Sequence, residues 1–406
     1  MKVLIVAPYI FKNEWHEFTR NRTGFGLMVN DIFESVSADA DTFLLSLVIT
    51  DGHGRILRHK WSDVFLCAKP KDWVEGIKLF FSYKQSFKNR CRYFYYGLNI
   101  GSIRKAIKNV CPNIVHIHGI GVWQKLIIDI CTKESIPYIV TLHGLIGLDN
   151  SVRAPIWDKD IERDFLVDAD NIGIPVTVIS SGMKRRIEEN YLHHVAHNIT
   201  VICNGTRIPN LVHNSNVDIF DIRKKFNVKE NEKIVVVIGN ITYNKNQVQI
   251  VNAFATNKIA KPCKVFLCGR DMTYGEIKKN IEEKRLSNKI YLLGSLTRET
   301  ISIILDQADL NIVSSKNEGF GLSIIEAYVH GVPTITFADL DAVPDLYDEK
   351  AMLTVDSRED ELFADAIEAA LENKWDKEWI REYGKRFSME AMSVAYIKEY
   401  ENNTNI

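Results

Sequence analysis

Asn317-Glu318-Gly319-Phe320-Gly321-Leu322-Ser323-Ile324-Ile325-Glu326-Ala327-Tyr328-Val329-His330-Gly331-Val332-Pro333 is the most informative stretch of the 406-residue chain. Two carboxylates, Glu318 and Glu326, stand on either side of a Gly-x-Gly. A strand is expected just before it, over 310–313. The paired glycines let backbone approach a ligand closely and adopt φ/ψ values closed to other residues. A helix is predicted to open near Leu322 and to stop at Gly331, with Pro333 just beyond, as a C′ glycine requires. The amides of residues 319–323 then face outward from a helix N-terminus and suit a phosphate. One ligand can meet Glu318 at one end, these amides in the middle and Glu326 at the other. Sugar, diphosphate and ribose follow that order in a nucleotide sugar. The carboxylates pair with hydroxyls, because like charges keep them off the phosphates.

Working outward, short apolar runs alternate with amphipathic segments along the whole chain. Strands are expected at Val3–Ala7, Thr42–Val48, Ile114–Ile117, Tyr138–Leu142, Val176–Ile179 and Thr200–Cys203. A second series is expected at Lys233–Ile238, Cys263–Cys268, Ile290–Leu293, Leu310–Val313, Pro333–Thr336 and Met352–Val355. They are rich in Val and Ile without strict alternation, which is how strands of a parallel sheet buried on both faces read. Helices are expected between them, among them Phe25–Ser37, Ser181–Asn190, Gln247–Phe254, Arg298–Gln307 and Glu361–Leu371. The alternation predicts an α/β fold with doubly wound sheets. Twelve strands exceed one ordinary open sheet, so two domains are expected. The turn residues and polarity of Asn204–Phe226 mark the link between them. The expected division is 1–208, 209–385 and a C-terminal helical segment, 386–406.

Composition narrows the function. Net charge is −1, so a general polyanion binder is not expected. The balance hides an asymmetry: residues 1–205 carry 25 Lys+Arg against 21 Asp+Glu, and the remainder 26 against 31. Seven scattered cysteines, none in a C-x-x-C, read as reduced thiols of a cytoplasmic protein, most of them small core residues. No stretch reaches the ~18 apolar residues of a membrane-spanning helix, and Met1–Pro8 reads as a first strand, not a signal peptide. D-x-D triplets at Asp39/Asp41, Asp158/Asp160, Asp168/Asp170 and Asp339/Asp341 are expected by chance in a chain with 52 acidic residues and read as surface or loop features. His116 and His118 share one side of a strand, where a pocket-lining pair outweighs a metal pair. His193, His194 and His197 read as solvated. No metal or other cofactor is required.

The stretch E-G-F-G-L-S-I-I-E-A-x-x-x-G-x-P-T-I resembles the glutamate-pair signature of the retaining glycosyltransferases of family 4. Asn113–Gly119, Pro137–Gly144, Val176–Ser180 and Val201–Gly205 resemble further segments of that family, so the resemblance covers most of the chain. It implies the GT-B fold: two Rossmann-like doubly wound domains facing across a cleft, with a C-terminal helix crossing back to the N-terminal domain. It further implies that Glu318 contacts the transferred sugar, that Glu326 holds the ribose, and that Gly319, Phe320, Gly321 and Leu322 hold sugar and phosphate. His143 would hydrogen-bond the sugar. The Thr23-Gly24-Phe25-Gly26 turn matches the family's glycine-rich loop, which assigns Gly24 and Gly26 to the diphosphate. Lys245 fits the diphosphate lysine. Asn240 stands where the family usually has arginine, and it donates a hydrogen bond but brings no charge.

The expected activity is a retaining transfer of a hexose-type sugar from a UDP- or GDP-sugar to a glycan or polyprenyl-diphosphate-linked acceptor. Bacterial surface polysaccharide synthesis (O-antigen, capsule or exopolysaccharide) is the family expectation. Attack by the acceptor from the leaving-group face is preferred over a Glu318 nucleophile. Residues 80–108 interleave Lys84, Lys88, Arg90, Arg92, Arg104, Lys105 and Lys108 with aromatic residues and carry no carboxylate. That pattern suits an anionic membrane surface, giving a peripheral protein at the inner face of the plasma membrane; it equally suits a basic helix with its aromatic face in the core. No nucleic acid partner is expected. A GT-B epimerase or phosphorylase and a non-catalytic nucleotide-sugar-binding protein are the alternatives. A dehydrogenase is disfavoured, because Ile324 occupies the position of the third glycine.

Overall fold

The computed structural model describes residues 1–8, 24–46, 55–58, 64–65, 73–82, 86–98, 100–149, 156–209 and 221–404. They form two units. The first comprises 1–179, 183–203 and 389–406, and the second 180–182 and 204–388.

The first unit holds β1 (Lys2–Ala7), β2 (Asp41–Ser46), β3 (Arg55–Arg58), β4 (Val64–Phe65), β5 (Ile114–His118), β6 (Tyr138–Leu142), β7 (Val176–Val178) and β8 (Ile199–Val201). Their order in the sheet is β4-β3-β2-β1-β5-β6-β7-β8. All six expected strands are present, and they run parallel. Val3–Ala7 is buried along its whole length, because helices cover both faces of a parallel sheet and leave no solvent side. The sheet is wider than expected: β3 and β4 add an antiparallel edge. Arg55-Ile56-Leu57-Arg58 is four residues long with an arginine at each end, and so carries little apolar signal.

The second unit holds β9 (Lys233–Ile238), β10 (Cys263–Cys268), β11 (Ile290–Gly294), β12 (Leu310–Val313), β13 (Thr334–Phe337) and β14 (Met352–Val355). The order is β11-β10-β9-β12-β13-β14, all parallel. The chain builds outward from β9 in one direction, then returns to β12 and builds the other way. The carboxyl ends of β9 and β12 lie at this reversal of strand order, the usual ligand position in such sheets. In the first unit the same reversal falls between β1 and β5.

The chain changes unit at Cys203/Asn204 and Ser388/Met389, where the sequence reading put 208/209 and 385/386. The Thr206 amide donates to the Phe387 carbonyl (2.8 Å), and Thr206 bridges Ser388, which ties both segments into the second unit. Residues 210–220 of the expected link lie outside the described residues. The last helix, Met389–Thr404, belongs to the first unit and packs on the helix Gly24–Val36. Ser393 Oγ donates to the Ser35 carbonyl (3.1 Å), and Tyr400 Oη lies 2.7 Å from His116 Nδ1. Tyr396 and Tyr400 are fully buried there.

The basic and aromatic stretch divides among three helices, Trp73–Ser82, Phe87–Leu98 and Ile100–Val110. The first two cross backbone to backbone: a Cβ on Gly97 would lie 2.5 Å from the Gly76 Cα. Tyr93 turns into the core beside Val122, with Leu79, Tyr96 and Ile161 against it. Phe81 and Phe87 are exposed, as are Trp73 and Ile77. Lys84 lies outside the described residues.

Tyr400→Phe removes a buried hydroxyl and strands His116 Nδ1. An unpaired buried polar group costs about 1–3 kcal/mol, so the variant is expected to unfold at lower denaturant concentration. An unchanged midpoint would show that this contact does not hold the C-terminal helix.

Candidate functional site

In the second unit, the predicted residues gather at the carboxyl ends of β9 and β12. After β9 the chain runs through Gly239 and Asn240 to Lys245, and the helix Gln247–Ala255 follows. Gly239 has φ 132°, which a side chain would resist. After β12 it runs through Ser314 and Ser315 to Glu318. The Lys245 ammonium pairs with the Glu318 carboxylate, which also accepts from Ser315 Oγ (3.1 Å). Ser314 Oγ donates to the Lys245 carbonyl (2.8 Å), and Asn244 Nδ2 donates to the Asn317 carbonyl (3.0 Å). The two loops thus brace one another.

Gly321, at φ 80°, is the N-cap of the helix Leu322–Val329 and offers no capping side chain. Among the described residues no acceptor meets the amides of Gly319, Phe320, Gly321, Leu322 or Ser323. Phe320 is buried and anchors the turn, leaving the backbone as its polar face. Gly331, at φ 74°, ends the helix as expected. Glu326 is half-buried one turn inside it. The set is two carboxylates, an ammonium and a row of unpaired N–H groups at a helix N-terminus, able to hold an anionic group flanked by hydroxyls. Asn240 Oδ1 accepts from the Arg270 amide (3.2 Å), so its side chain is engaged with the neighbouring loop.

Arg358 was not legible as part of this region. Its guanidinium binds Asp339 (2.7 Å) and the Ser315 carbonyl (3.1 Å), and lies over the Phe337 ring. It braces the Glu318 loop from residues distant in sequence, and no motif marks it.

In the first unit, His143 follows β6. Its Nε2 lies 2.9 Å from His118 Nδ1, and its ring meets Phe25 edge-on at 5.1 Å. Burial pushes the His143 imidazole down to about 4. His116 and His118 are held well below the ordinary imidazole range, by burial first and by neighbouring imidazoles second. His118 Nε2 is buried without a partner. An orphaned acceptor nitrogen is the cheaper of the two tautomers, so His118 donates from Nδ1 to His143 Nε2. His143 is then left with Nδ1–H as a donor. His116 bridges Tyr400 and Thr141 (2.7 and 2.6 Å) and is a buried network member, not a ligand.

Gly24 and Gly26 lie inside the first turn of the helix Gly24–Val36, which opens one residue before the expected Phe25; Thr23 lies outside the described residues. Glu162 was missed. Fully buried, it accepts from the amides of Ile146 and Gly147 (2.8 Å each), just past His143. Burial raises its carboxyl above the usual range. A lone Glu in the helix Ile156–Ile172 gives no sequence cue to that role.

His194 is exposed yet paired with Asp170 (2.7 Å), where solvated histidine was expected. Among the described residues no group of three His, Cys, Asp or Glu is arranged to hold a metal. Cys131, Cys263 and Cys268 are buried, and burial pushes the Cys268 thiol up to about 12; Cys91 and Cys111 are exposed.

The three imidazoles set a pH dependence. They stay neutral in the fold but take up protons in the unfolded chain below about 6.5. The unfolded state therefore binds more protons below ~6.5, down to about 4 for His143 and lower than the ordinary imidazole range for His116 and His118, and stability falls on acidification below ~6.5. The slope is about 1.4 kcal/mol per pH unit for each fully titrating group. His118→Asn is expected to give a shallower decline between pH 7 and 5 in denaturant titrations. Equal slopes would mean that His118 is not held neutral.

Residues 55–208 match the family model described as Glycosyltransferase Family 4, and residues 218–387 match that described as Glycosyl transferases group 1. Among curated proteins, the N-acetyl-alpha-D-glucosaminyl L-malate synthase of Bacillus anthracis is 28% identical over 29% of this chain and 30% of its own length. An O-antigen biosynthesis glycosyltransferase of Escherichia coli is 22% identical over 44% of this chain and 50% of its own. The chain thus spans a half or less of the length of these relatives. The crystal structure of Anabaena HepE in complex with UDP and glucose superposes with a TM-score of 0.66 at 16% identity, over 99% of this chain and 100% of that one. With two doubly wound α/β units matched to both family models, the chain belongs to the family 4 glycosyltransferases of GT-B fold.

Proposed function

We propose that this glycosyltransferase moves a hexose-type sugar, with retention at the anomeric carbon, from a UDP- or GDP-sugar to a glycan or polyprenyl-diphosphate-linked acceptor in bacterial surface polysaccharide synthesis. The observation that carries the reading is the Lys245–Glu318 pair beside the five unpaired amides of residues 319–323. A diphosphate accepts from those amides, and the helix dipole favours its charge. Glu318 is assigned to hydroxyls of the transferred sugar and Glu326 to the ribose. Lys245, already held by Glu318, is assigned to the bond between sugar and phosphate. The binding of UDP and glucose by HepE supports a nucleotide-sugar donor, and the E. coli relative supports a polysaccharide product.

In the reaction the bond from anomeric carbon to phosphate oxygen breaks through an oxocarbenium-like transition state. The acceptor hydroxyl forms the new glycosidic bond on the same face, and its proton passes to the departing diphosphate. Lys245 and the backbone amides stabilise the charge gathering on that leaving group. His143, neutral and with Nδ1–H free to donate, orients a substrate hydroxyl without shuttling protons. Gly24 and Gly26 are assigned to backbone contact with the donor. The chemistry assigns no step to a metal.

The exposed Trp73, Ile77, Phe81 and Phe87 support docking on an anionic bilayer near a lipid-linked acceptor. Flotation with anionic liposomes is expected to carry the protein upward. Phe81→Asp, or Lys/Arg→Glu at 84, 88, 90 and 92, should leave it at the bottom. Flotation unaffected by either set would remove the membrane from the proposal.

A thermal-shift panel of UDP- and GDP-sugars is expected to raise the melting temperature with at least one donor, since a ligand held by the folded state stabilises it. Glu326→Ala should abolish the shift. Persistence of the shift would overturn the ribose assignment, and no shift with any donor would overturn the donor site itself.

A further inference from the structure

The two cations placed at the site above are both paired. Lys245 is neutralised by Glu318, and Arg358 by Asp339. Position 240, at the end of the central strand, is an uncharged Asn. A diphosphate brought to this edge and released from it needs a cation that is not already spent.

The ladder between β9 and β10 supplies the location of one. Cys268 pairs with Ile238, and beyond the strand ends Ile241 still pairs in parallel with Asp271. The register is unbroken, so Arg270 lies opposite Asn240. Backbone bonds continue through the segment: Gly239 N to Cys268 O (2.9 Å), Ile241 N to Arg270 O (2.9 Å) and Met272 N to Ile241 O (3.0 Å). Asn240 Oδ1 fastens the crossing by accepting from the Arg270 amide (3.2 Å). The two loops touch closely, since a Cβ on Gly269 would lie 2.0 Å from the Gly239 carbonyl oxygen. Neighbouring strands stand about 4.8 Å apart. Arg270 therefore emerges beside position 240, one strand over.

Its charge is available. Arg270 is exposed, and among the described residues its guanidinium has no carboxylate partner. The adjacent Asp271 is turned away: its oxygens accept from the Thr273 amide (2.7 Å), the Thr273 hydroxyl (2.6 Å) and the Gly275 amide (3.1 Å). That turn fixes the backbone immediately after Arg270 and keeps the carboxylate from quenching the guanidinium.

We propose that Arg270, carried at the end of β10 and clipped in place by Asn240, supplies the diphosphate-binding cation that position 240 lacks. The inference rests on the nucleotide-sugar reading above and deepens it. A guanidinium fits two phosphate oxygens at once, which an ammonium cannot do. Asn240 becomes a positioning residue that hands the role to its neighbour.

The test is calorimetric titration of the full chain with UDP and GDP, each against its nucleoside monophosphate. The wild type is expected to bind one diphosphate more tightly than the matching monophosphate. Arg270→Ala should weaken the diphosphate about 10- to 100-fold, the range for a hydrogen bond to a charged group, and leave the monophosphate within a few-fold. Asn240→Arg in the Arg270→Ala background should restore the preference, an effect that a merely structural role for Arg270 does not produce. Diphosphate binding unchanged by Arg270→Ala would overturn this inference while leaving the donor site intact. Equal weakening of both nucleotides without rescue would likewise assign Arg270 a structural role. A wild type that binds neither diphosphate would remove the donor reading, and this inference with it.

Discussion

A parallel sheet covered by helices on both faces has nowhere to put chemistry except the ends of its strands. Both sheets here obey that constraint. Their central strands are rich in Val, Ile and Leu, because both faces are buried. The strand order reverses between β9 and β12, and Lys245, Ser314, Ser315 and Glu318 collect at their carboxyl ends. Lys245 and Glu318 face one another because their strands are neighbours, although 73 residues separate them in the chain.

Within that frame, the ion pair sets charge more than it sets stability. Its members are partly exposed, and such pairs contribute little to folding. What it does is place an ammonium and a carboxylate side by side, one suited to a phosphate oxygen and the other to a hydroxyl. The glycines serve the same end from the backbone. Gly321 leaves the helix start uncapped, and Gly239 and Gly269 let adjacent loops run in contact. Lys245 is engaged by this pairing, and the exposed Arg270 stands at the end of the next strand.

The first unit uses burial differently. Three imidazoles are kept neutral by loss of water, and the unpaired His118 Nε2 places the protons of His118 and His143 on their Nδ1 atoms. The C-terminal helix takes part, since Tyr400 closes one end of the network. Removing that helix would expose the histidines as well as the sheet, so the last residues of the chain bear on a position near residue 143.

The sequence alone determined every parallel strand but neither of the antiparallel strands β3 and β4, because a strand of four or two residues leaves no apolar run to read. It also determined the Glu318–Glu326 turn, the helix it opens and the glycine that ends it, since these are local in the chain and follow from backbone sterics. The helix expected from Phe25 opens at Gly24, a difference of one residue, because a glycine at a helix start and a glycine in the preceding turn look alike in a linear string. Only the tertiary structure decided that Lys245 meets Glu318, that Arg358 braces the same loop, that Glu162 ties down the segment after His143, and that Arg270 stands opposite Asn240. Each of these depends on which strands become neighbours. Pairing across a sheet is set by the packing of the whole apolar core, and no short pattern of residues encodes it.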